Sequence, residues 1–327
     1  MKTETTETGD QKGIQTSEHE RRLRLPPSAG ILLALLLLGA FFTFLSPVFL
    51  KSANLVNIMV QSSMTIVIAT GATIVIASAG IDLSVGSVLA LSGIFMAMTL
   101  KAEWPVALCI AIGLLGSVFI GAINGWMVGK VKITPFIATL AMMSVARAVA
   151  YIMTDARPIY GLAAGLRYFG TGKIGPIPVP ALIAVAVAAV GHFMMERTRA
   201  GRNALAIGGN EEAARLSGVN VGRAQIIIYA MAGLAYGIGA LIMTARMNAA
   251  EPMAGLGLEM DAIAAAVIGG TSLAGGVASI FGTVIGALIL ATLRNGLTLL
   301  SVQPYFQQLT IGIVIVAAVF LDKIRTR

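Results

Sequence analysis

Long stretches without Asp, Glu, Lys or Arg dominate this sequence and restrict what it can fold into. They cover residues 25–50, 52–81, 83–100, 104–129, 133–146, 174–195, 224–245, 262–293 and 295–321. A helix that crosses the hydrocarbon core of a bilayer needs about 20 mostly apolar residues. Hydrophobic residues make up 57% of the chain and charged residues 12%, about half the charged fraction of a soluble domain. This composition excludes a soluble enzyme and a disordered chain.

The longest of these stretches contain breaks, such as the Gly-rich run 269–276, and divide into ten predicted helices. The helices are expected near residues 29–47, 56–78, 83–100, 104–127, 134–154, 178–195, 224–244, 259–270, 276–298 and 305–321. The predicted fold class is an all-α integral membrane protein with about ten transmembrane helices.

The N-terminus differs in composition from the rest of the chain. Residues 1–28 are polar and include Arg21, Arg22 and Arg24. The apolar run that follows is too long for a signal-peptide core and lacks a small-x-small cleavage site after it. We therefore expect residues 1–28 to form a disordered cytoplasmic tail and residues 29–325 to form one polytopic membrane domain.

The distribution of basic residues predicts the orientation. With ten spans and a cytoplasmic N-terminus, 15 of the 23 Lys and Arg residues fall in cytoplasmic segments and 8 do not. Cytoplasmic loops of membrane proteins carry the excess of Lys and Arg, so both termini are predicted to be cytoplasmic. The net charge of +8 is explained in the same way, and it does not indicate nucleic-acid binding.

Two halves of the chain share a motif. Gly80-Ile81-Asp82-Leu83 is followed by Gly93, and Gly257-Leu258-Glu259-Met260 is followed at the same distance by Gly270. Each motif precedes Asn-Gly and then Pro-aromatic, at 124–125 and 135–136 in the first half and at 295–296 and 304–305 in the second. In the ten-span topology the two motifs face opposite sides of the membrane, which is typical of inverted-repeat transporters.

Acidic residues in the apolar segments are candidates for the translocation pathway, because a carboxylate at membrane depth faces a cavity or a partner. Asp82 has two open interpretations: a cap that accepts a hydrogen bond from the backbone of Ser84 or Val85, or a cap that also lines the pathway. Glu259 and Asp261 either line the pathway or favour the dipole at an exposed outer helix end. The pathway candidates are Asp82, Ser84, Ser87, Asn124, Glu259 and Asp261.

Two other features have simpler explanations. Glycines four residues apart predict close helix packing, at Gly125–Gly129, Gly233–Gly237 and Gly282–Gly286. Arg147 lies in the fifth predicted helix, where it either pairs with a carboxylate or extends toward the membrane surface.

The polar segment 196–223 carries the most distinctive local pattern. Asn210 predicts an N-cap, and Glu211 and Arg215, four residues apart, predict an ion pair in the favourable order. Gly218 is expected to end the helix that begins after Asn210. A helix of about two turns is unstable alone, so we expect it to dock on a soluble partner; the alternative is that it covers the cytoplasmic ends of its own spans.

Several kinds of site are missing from the sequence. It contains no G-x-x-x-x-G-K-[ST] motif, so no phosphate-binding loop for ATP is predicted. The single Cys109 and the two histidines, His19 and His192, make no metal-ligand cluster, and no nucleophile–base–acid set is recognisable. We therefore predict no cofactor, no metal, no catalytic residues and no enzyme activity in this chain.

Four segments in this order resemble the permease subunits of bacterial ABC sugar importers, and most closely the ribose, xylose and arabinose type. The resemblance covers about residues 30–325 and excludes the N-terminal tail. Its motifs are GIDLSVGS at 80–87, NG at 124–125 with TPFIATL at 134–140, IGGNEEAARLSGV at 207–219 and VIGGTSLAGG at 267–276.

The resemblance implies a function and a set of partners. The chain is expected to be a multi-pass subunit of the bacterial inner membrane that forms the pathway for a monosaccharide, a pentose above all. Its expected partners are a second permease subunit in a homodimer, a cytoplasmic ATPase, a periplasmic sugar-binding protein and membrane lipid. The positions that match the family's ATPase-coupling loop are Gly209, Asn210, Glu211, Ala214, Arg215 and Gly218.

Two other functions stay open at this point. A branched-chain amino acid permease of the same importer class has a similar architecture. A secondary transporter driven by an ion gradient needs a buried relay, for which only Asp82, Glu259 and Asp261 are available.

Overall fold

A computed structural model describes residues 27–325, and this part of the chain is almost entirely helical. Seven helices form the first part: α1 Pro27–Leu45, α2 Ser52–Ala77, α3 Val85–Lys101, α4 Val106–Trp126, α5 Pro135–Thr154, α6 Ala164–Thr171 and α7 Val179–Arg197. Six helices follow: α8 Arg199–Gly209, α9 Glu211–Leu216, α10 Val221–Met247, α11 Leu258–Ile268, α12 Ile280–Leu299 and α13 Pro304–Arg325. A π-helical turn, Met127–Val131, extends α4.

Four two-residue strands connect the helices at one end of the bundle. They are β1 Ile159–Tyr160, β2 Lys173–Ile174, β3 Ile177–Pro178 and β4 Ala249–Ala250. β1 pairs antiparallel with β4, and β2 with β3. β1 lies in the connection between α5 and α6, and β4 directly follows α10. Their pairing therefore joins the α5–α6 connection to the end of α10.

All ten predicted helices are present as helices in the described residues. Six helical segments are long and apolar enough to cross a membrane, namely Ser52–Ala77, Val106–Val131, Pro135–Thr154, Val179–Arg197, Val221–Met247 and Ile280–Leu299. Two shorter apolar helices cover Ala29–Leu45 and Val85–Lys101. These helices make the protein an all-α integral membrane protein.

One prediction from the sequence needs correction, and another concerns residues that are mostly outside the described part of the chain. The sequence predicts one short helix in segment 196–223, whereas the structure has two, α8 and α9, and it also contains α6, which was not predicted. Residues 1–26 of the predicted cytoplasmic tail lie outside the described residues, and residues 27–28 already belong to α1.

α2 lies at the centre of the bundle. Every residue from 65 to 78 is buried, and the helix packs against α7, α10, α11 and α12. Two polar contacts join α2 to α12: Asn54 and Asn295 exchange two hydrogen bonds of 3.0 Å, and the hydroxyls of Thr73 and Thr283 lie 2.8 Å apart. Buried hydrogen bonds of this kind hold helices together where the lipid supplies no hydrophobic drive for their association.

The contacts of the first half repeat in the second half. α4 packs on α10, and α12 packs on α2; α3 packs on α4 and α10, and α11 packs on α12 and α2. If α2, α3 and α4 are exchanged for α10, α11 and α12, respectively, these same pairs of helices remain in contact.

The turn before α11 reaches the start of α3. A Cβ atom added to Gly86 would lie 2.1 Å from the carbonyl oxygen of Gly255, so the two backbones are in direct contact. Gly255 and Gly257 both have positive φ, at 76° and 83°, a conformation that glycine adopts at no steric cost. The residues that follow the first motif (80–83) thus contact those that precede the second (257–260), so the two motifs are not separated by the thickness of the membrane, as the predicted opposite locations implied.

Candidate functional site

Segment 196–223, named here the lever segment, folds into two short helices with defined caps. Thr198 caps α8 by accepting a hydrogen bond from the Gly201 N–H at 3.4 Å. Asn210 caps α9 by accepting one from the Ala213 N–H at 2.9 Å, as the sequence predicted. Gly218 ends the turn with φ 88°, which confirms it as the stop.

α9 presents most of its surface to the outside of the bundle. Ala214 is its only buried side chain, at 4% exposure, while Leu216 is 78% exposed. This exposure leaves the Leu216 side chain available for contact with a partner. Leu216 was not among the residues predicted from the sequence, although it is the one large apolar residue of an otherwise small and charged helix.

The ion pairs of α9 differ from the predicted Glu211–Arg215 pair. Arg215 binds Glu212 instead, with its Nε at 3.1 Å and its Nη2 at 2.5 Å from the carboxylate, and this hydrogen-bonded guanidinium lowers the pKa of Glu212. Glu211 binds Lys132 across 2.6 Å, in the connection between α4 and α5. The i,i+3 spacing allows the Arg215 guanidinium to bind both carboxylate oxygens of Glu212. Glu211 instead attaches α9 to the connection between α4 and α5 through Lys132.

α8 connects the lever segment to the core. A Cβ atom added to Gly208 would lie 2.0 Å from the carbonyl oxygen of Ala77, the last residue of α2. The same carbonyl accepts a hydrogen bond from the Gly276 N–H at 3.0 Å. Gly209 lies beside Gly276, whose added Cβ would come within 3.0 Å of the Gly209 Cα. A displacement of α8 therefore acts directly on the end of α2 and on the turn before α12.

The predicted pathway residues divide into separate groups. Asp82, Ser84 and Asn124 form one buried cluster: the Asp82 carboxylate accepts hydrogen bonds from the Ser84 N–H at 2.8 Å and Oγ at 2.6 Å, and the Asn124 Nδ2 donates to the Ser84 Oγ at 3.0 Å. Ser87 lies one turn further into α3 and donates to the Ser84 carbonyl at 2.9 Å. The predicted hydrogen bond from the Ser84 N–H is present, but Ser84 and not Asp82 is the N-cap residue of α3, so Asp82 stabilises the turn before the helix and does not cap the helix itself.

Two buried tyrosines of α10 face this cluster. Among the described residues, the hydroxyls of Tyr229 and Tyr236 and the Oδ1 of Asn124 are buried without a hydrogen-bond partner. Buried polar groups are normally satisfied by protein or ordered water, so this cluster keeps unused hydrogen-bonding capacity in the core.

We expect Asp82→Ala to destabilise the protein and Asp82→Asn to leave it near wild type. The asparagine keeps an oxygen that accepts from Ser84, whereas alanine leaves a buried N–H and hydroxyl without their acceptor, at a cost of about 1–3 kcal/mol. Thermal unfolding of the detergent-purified variants measures the difference. Equal unfolding temperatures for both variants would contradict the stabilising role of Asp82.

The carboxylates of α11 have different environments. Asp261 is 9% exposed, and its carboxylate lies 3.2 Å from the Arg294 guanidinium of α12. The predicted exposed helix-dipole position is therefore wrong for Asp261. Arg294 could have been identified from the sequence, because it is the one charge that separates the apolar runs 262–293 and 295–321. Glu259 is half-buried and accepts a hydrogen bond from the Gly257 N–H at 3.2 Å.

Arg147 neither extends to the surface nor forms an ion pair in the described residues. Its Nη1 donates to the carbonyl oxygens of Pro252 and Ala254, the second at 2.8 Å. Both belong to the turn segment 251–257, which precedes α11. The side chain thus fastens this turn to the middle of α5.

This arrangement, a bundle of apolar helices with polar groups in its interior and a capped lever segment between α7 and α10, is that of a membrane transport component. The chain belongs to the family described as "Branched-chain amino acid transport system / permease component", which residues 54–319 match. It is a permease component and a multi-pass protein of the inner membrane.

The chain is also similar over nearly its whole length to individual sugar permeases. It is 42% identical to the ribose import permease protein RbsC of Bacillus subtilis over 325 residues, or 99% of each chain. It is 44% identical to RbsC of Escherichia coli K12 over 295 residues, which is 89% of this chain and 92% of that protein. The D-allose transport system permease protein AlsC of the same organism is 41% identical over 298 residues, 90% of this chain and 91% of that protein. No solved structure matches the chain.

Proposed function

We propose that this protein is the permease subunit of an ABC importer for a monosaccharide, with a pentose such as ribose as its first substrate. The identity of 42–44% to ribose import permeases of two distant bacteria, over 89–99% of this chain, carries the proposal. The family description names branched-chain amino acids, but the similar proteins with full-length matches include ribose, allose and galactose permeases. A sugar is therefore favoured over a branched-chain amino acid.

The proposed topology has ten spans, with both termini in the cytoplasm. The short or partly described helices α1, α3, α11 and α13 complete the six long apolar segments to ten, and the distribution of Lys and Arg supports the orientation. The repeated contacts of α2–α4 and α10–α12 support an inverted internal repeat. We propose residues 29–325 as one permease domain and residues 1–28 as a cytoplasmic tail.

In this topology the lever segment faces the cytoplasm and α9 docks on a separate ATPase subunit. The proposed coupling residues are Gly209, Asn210, Glu211, Ala214, Arg215 and Gly218. The cap of Asn210 and the turn of Gly218 shape α9, Ala214 seats it, and Glu211 attaches it to Lys132. The remaining partners are a second copy of the permease and a periplasmic sugar-binding protein.

Force from ATP hydrolysis would reach the pathway through α8. Closure of the ATPase pair displaces α9, and α8 transmits the displacement to the end of α2 and to Gly276. Packed helices respond to such a displacement as rigid bodies, so the cavity between the two permease copies changes the side to which it opens. The chain itself needs only a polar path for the sugar, because the binding protein selects it.

Uptake into proteoliposomes tests the function. We expect the permease, co-reconstituted with the ATPase and the binding protein, to take up radiolabelled D-ribose only with internal ATP and to keep doing so in the presence of a protonophore. Uptake by the permease alone, or uptake that collapses with the protonophore, would instead support an ion-coupled secondary transporter.

A further inference from the structure

A cleft lined by charged, hydroxyl and apolar side chains lies between α3, α5 and the turn segment 251–257, one helical turn from the Asp82 cluster. Its volume is about 280 Å³, close to the lower end of roughly 300 Å³ for small-molecule sites. Unlike the apolar groove along α13, it combines two opposite charges with hydroxyl groups. The residues that line it are Ser87, Met143, Ser144, Arg147, Ala148, Tyr151, Leu256 and Glu259.

The cleft lies beside the second half of α5 and at the starts of α3 and α11, where Ser87 and Glu259 are the third and second residues of their helices. Arg147 is twelve residues after Pro135, where α5 begins, and a rise of 1.5 Å per residue places it roughly 18 Å along the helix. The hydrocarbon core is about 30 Å thick. Polar and charged groups at this depth mark substrate pathways in membrane proteins.

The charged side chains of the cleft are held in place and retain hydrogen-bonding capacity. Arg147 uses its Nη1 for the carbonyls of Pro252 and Ala254, which leaves the N–H groups of Nε and Nη2 from the five that a guanidinium carries. Glu259 is fixed through its Oε1 by the Gly257 N–H, which leaves the second oxygen. No ion pair joins Arg147 to Glu259 within the described part of the chain.

We propose that this cleft is a sugar-binding subsite within the translocation pathway. Glu259 accepts hydrogen bonds from sugar hydroxyls, Arg147 donates to their oxygens, and the hydroxyls of Ser144 and Tyr151 do either. Fixed donors and acceptors around a small cavity suit the hydroxyl groups of a polyhydroxylated ligand. The inference rests on the proposed function, and it assigns a binding role to Arg147.

Filling the cleft tests the proposal in the complete importer. Ala148 is an exposed side chain that lines the cleft, and Val145, 56% exposed on the same helix, does not line it. We expect Ala148→Phe to reduce ATP-driven D-ribose uptake to the level seen without ATP, and Val145→Phe to leave uptake unchanged. Stimulation of the ATPase by the binding protein should persist in both variants, because the lever segment is untouched.

A second variant keeps the test decisive if Ala148→Phe does not fold. Glu259→Gln preserves the side-chain volume and an acceptor oxygen but removes the charge. We expect it to lower the maximal uptake rate roughly tenfold, the difference between a charge-assisted and a neutral hydrogen bond, with an unchanged KM set by the binding protein. Wild-type uptake by Glu259→Gln, or by folded Ala148→Phe, overturns the subsite. Failure of the wild-type importer to move ribose overturns the proposed function instead.

Discussion

We expect Leu216→Asp to abolish ATP-driven ribose uptake while the permease still inserts and purifies normally. Leu216 is 78% exposed at the end of α9, so its replacement costs little stability, since surface substitutions usually change it by less than about 0.5 kcal/mol. A carboxylate at the centre of a docking contact, however, must lose its water without gaining a partner. Co-purification with the ATPase subunit measures docking, and uptake into proteoliposomes measures transport.

A conservative substitution at the same position provides the matched control. Leu216→Met keeps an apolar side chain of similar volume, and such exchanges are well tolerated in packed contacts; we therefore expect it to retain both uptake and the bound ATPase. If Leu216→Asp co-purifies with the ATPase and transports at the wild-type rate, α9 does not dock there. The alternative, that α9 only covers the ends of its own spans, would then stand.

The membrane helices were predictable because their signal is local. A charge-free run of about 20 residues identifies a span without any knowledge of its neighbours, and six helical segments of the described residues are long and apolar enough to cross a membrane. α8 was missed for an equally local reason. Its sequence, Arg199–Gly209, contains three glycines and two arginines, and its helical state depends on packing of Gly208 against α2.

The contacts between distant residues were less predictable. The hydrogen bond that Asp82 accepts from Ser84 and the cap that Asn210 forms involve neighbours two or three residues away, and both follow from the sequence. The pairing of Asp261 with Arg294 and the attachment of Arg147 to segment 251–257 join residues far apart in the chain. They depend on which helices are neighbours, and so the sequence alone could not separate the pathway candidates into their groups.

Small residues four apart were predicted to permit close packing, and the interface of α4 with α10 shows how close it is. A Cβ atom added to Gly125 would lie 2.5 Å from the carbonyl oxygen of Gln225, and one added to Gly121 would lie 2.3 Å from that of Tyr229. On the α10 side, a Cβ atom on Gly233 would lie 2.3 Å from the carbonyl oxygen of Ser117. These are backbone contacts, so no flexible side chain can move aside to make room.

We expect Gly125→Val to produce the largest loss of stability of any substitution considered. The added methyl groups must push α4 away from α10, and overpacking of a well-packed interior costs about 1–3 kcal/mol or more. Separation of the two helices would also loosen the buried cluster, since Asn124 of α4 is bonded to Ser84. Thermal unfolding and gel filtration of the detergent-purified protein should show a lowered unfolding temperature and an aggregated fraction.

Two further variants establish that the contact, and not the loss of a glycine, causes the effect. Gly39 of α1 has no atom within 4 Å of an added Cβ, so Gly39→Val should unfold at the wild-type temperature. Gly125→Ala, which adds only the Cβ, should fall between wild type and Gly125→Val. An unchanged unfolding temperature for Gly125→Val would mean that α4 and α10 do not meet backbone to backbone.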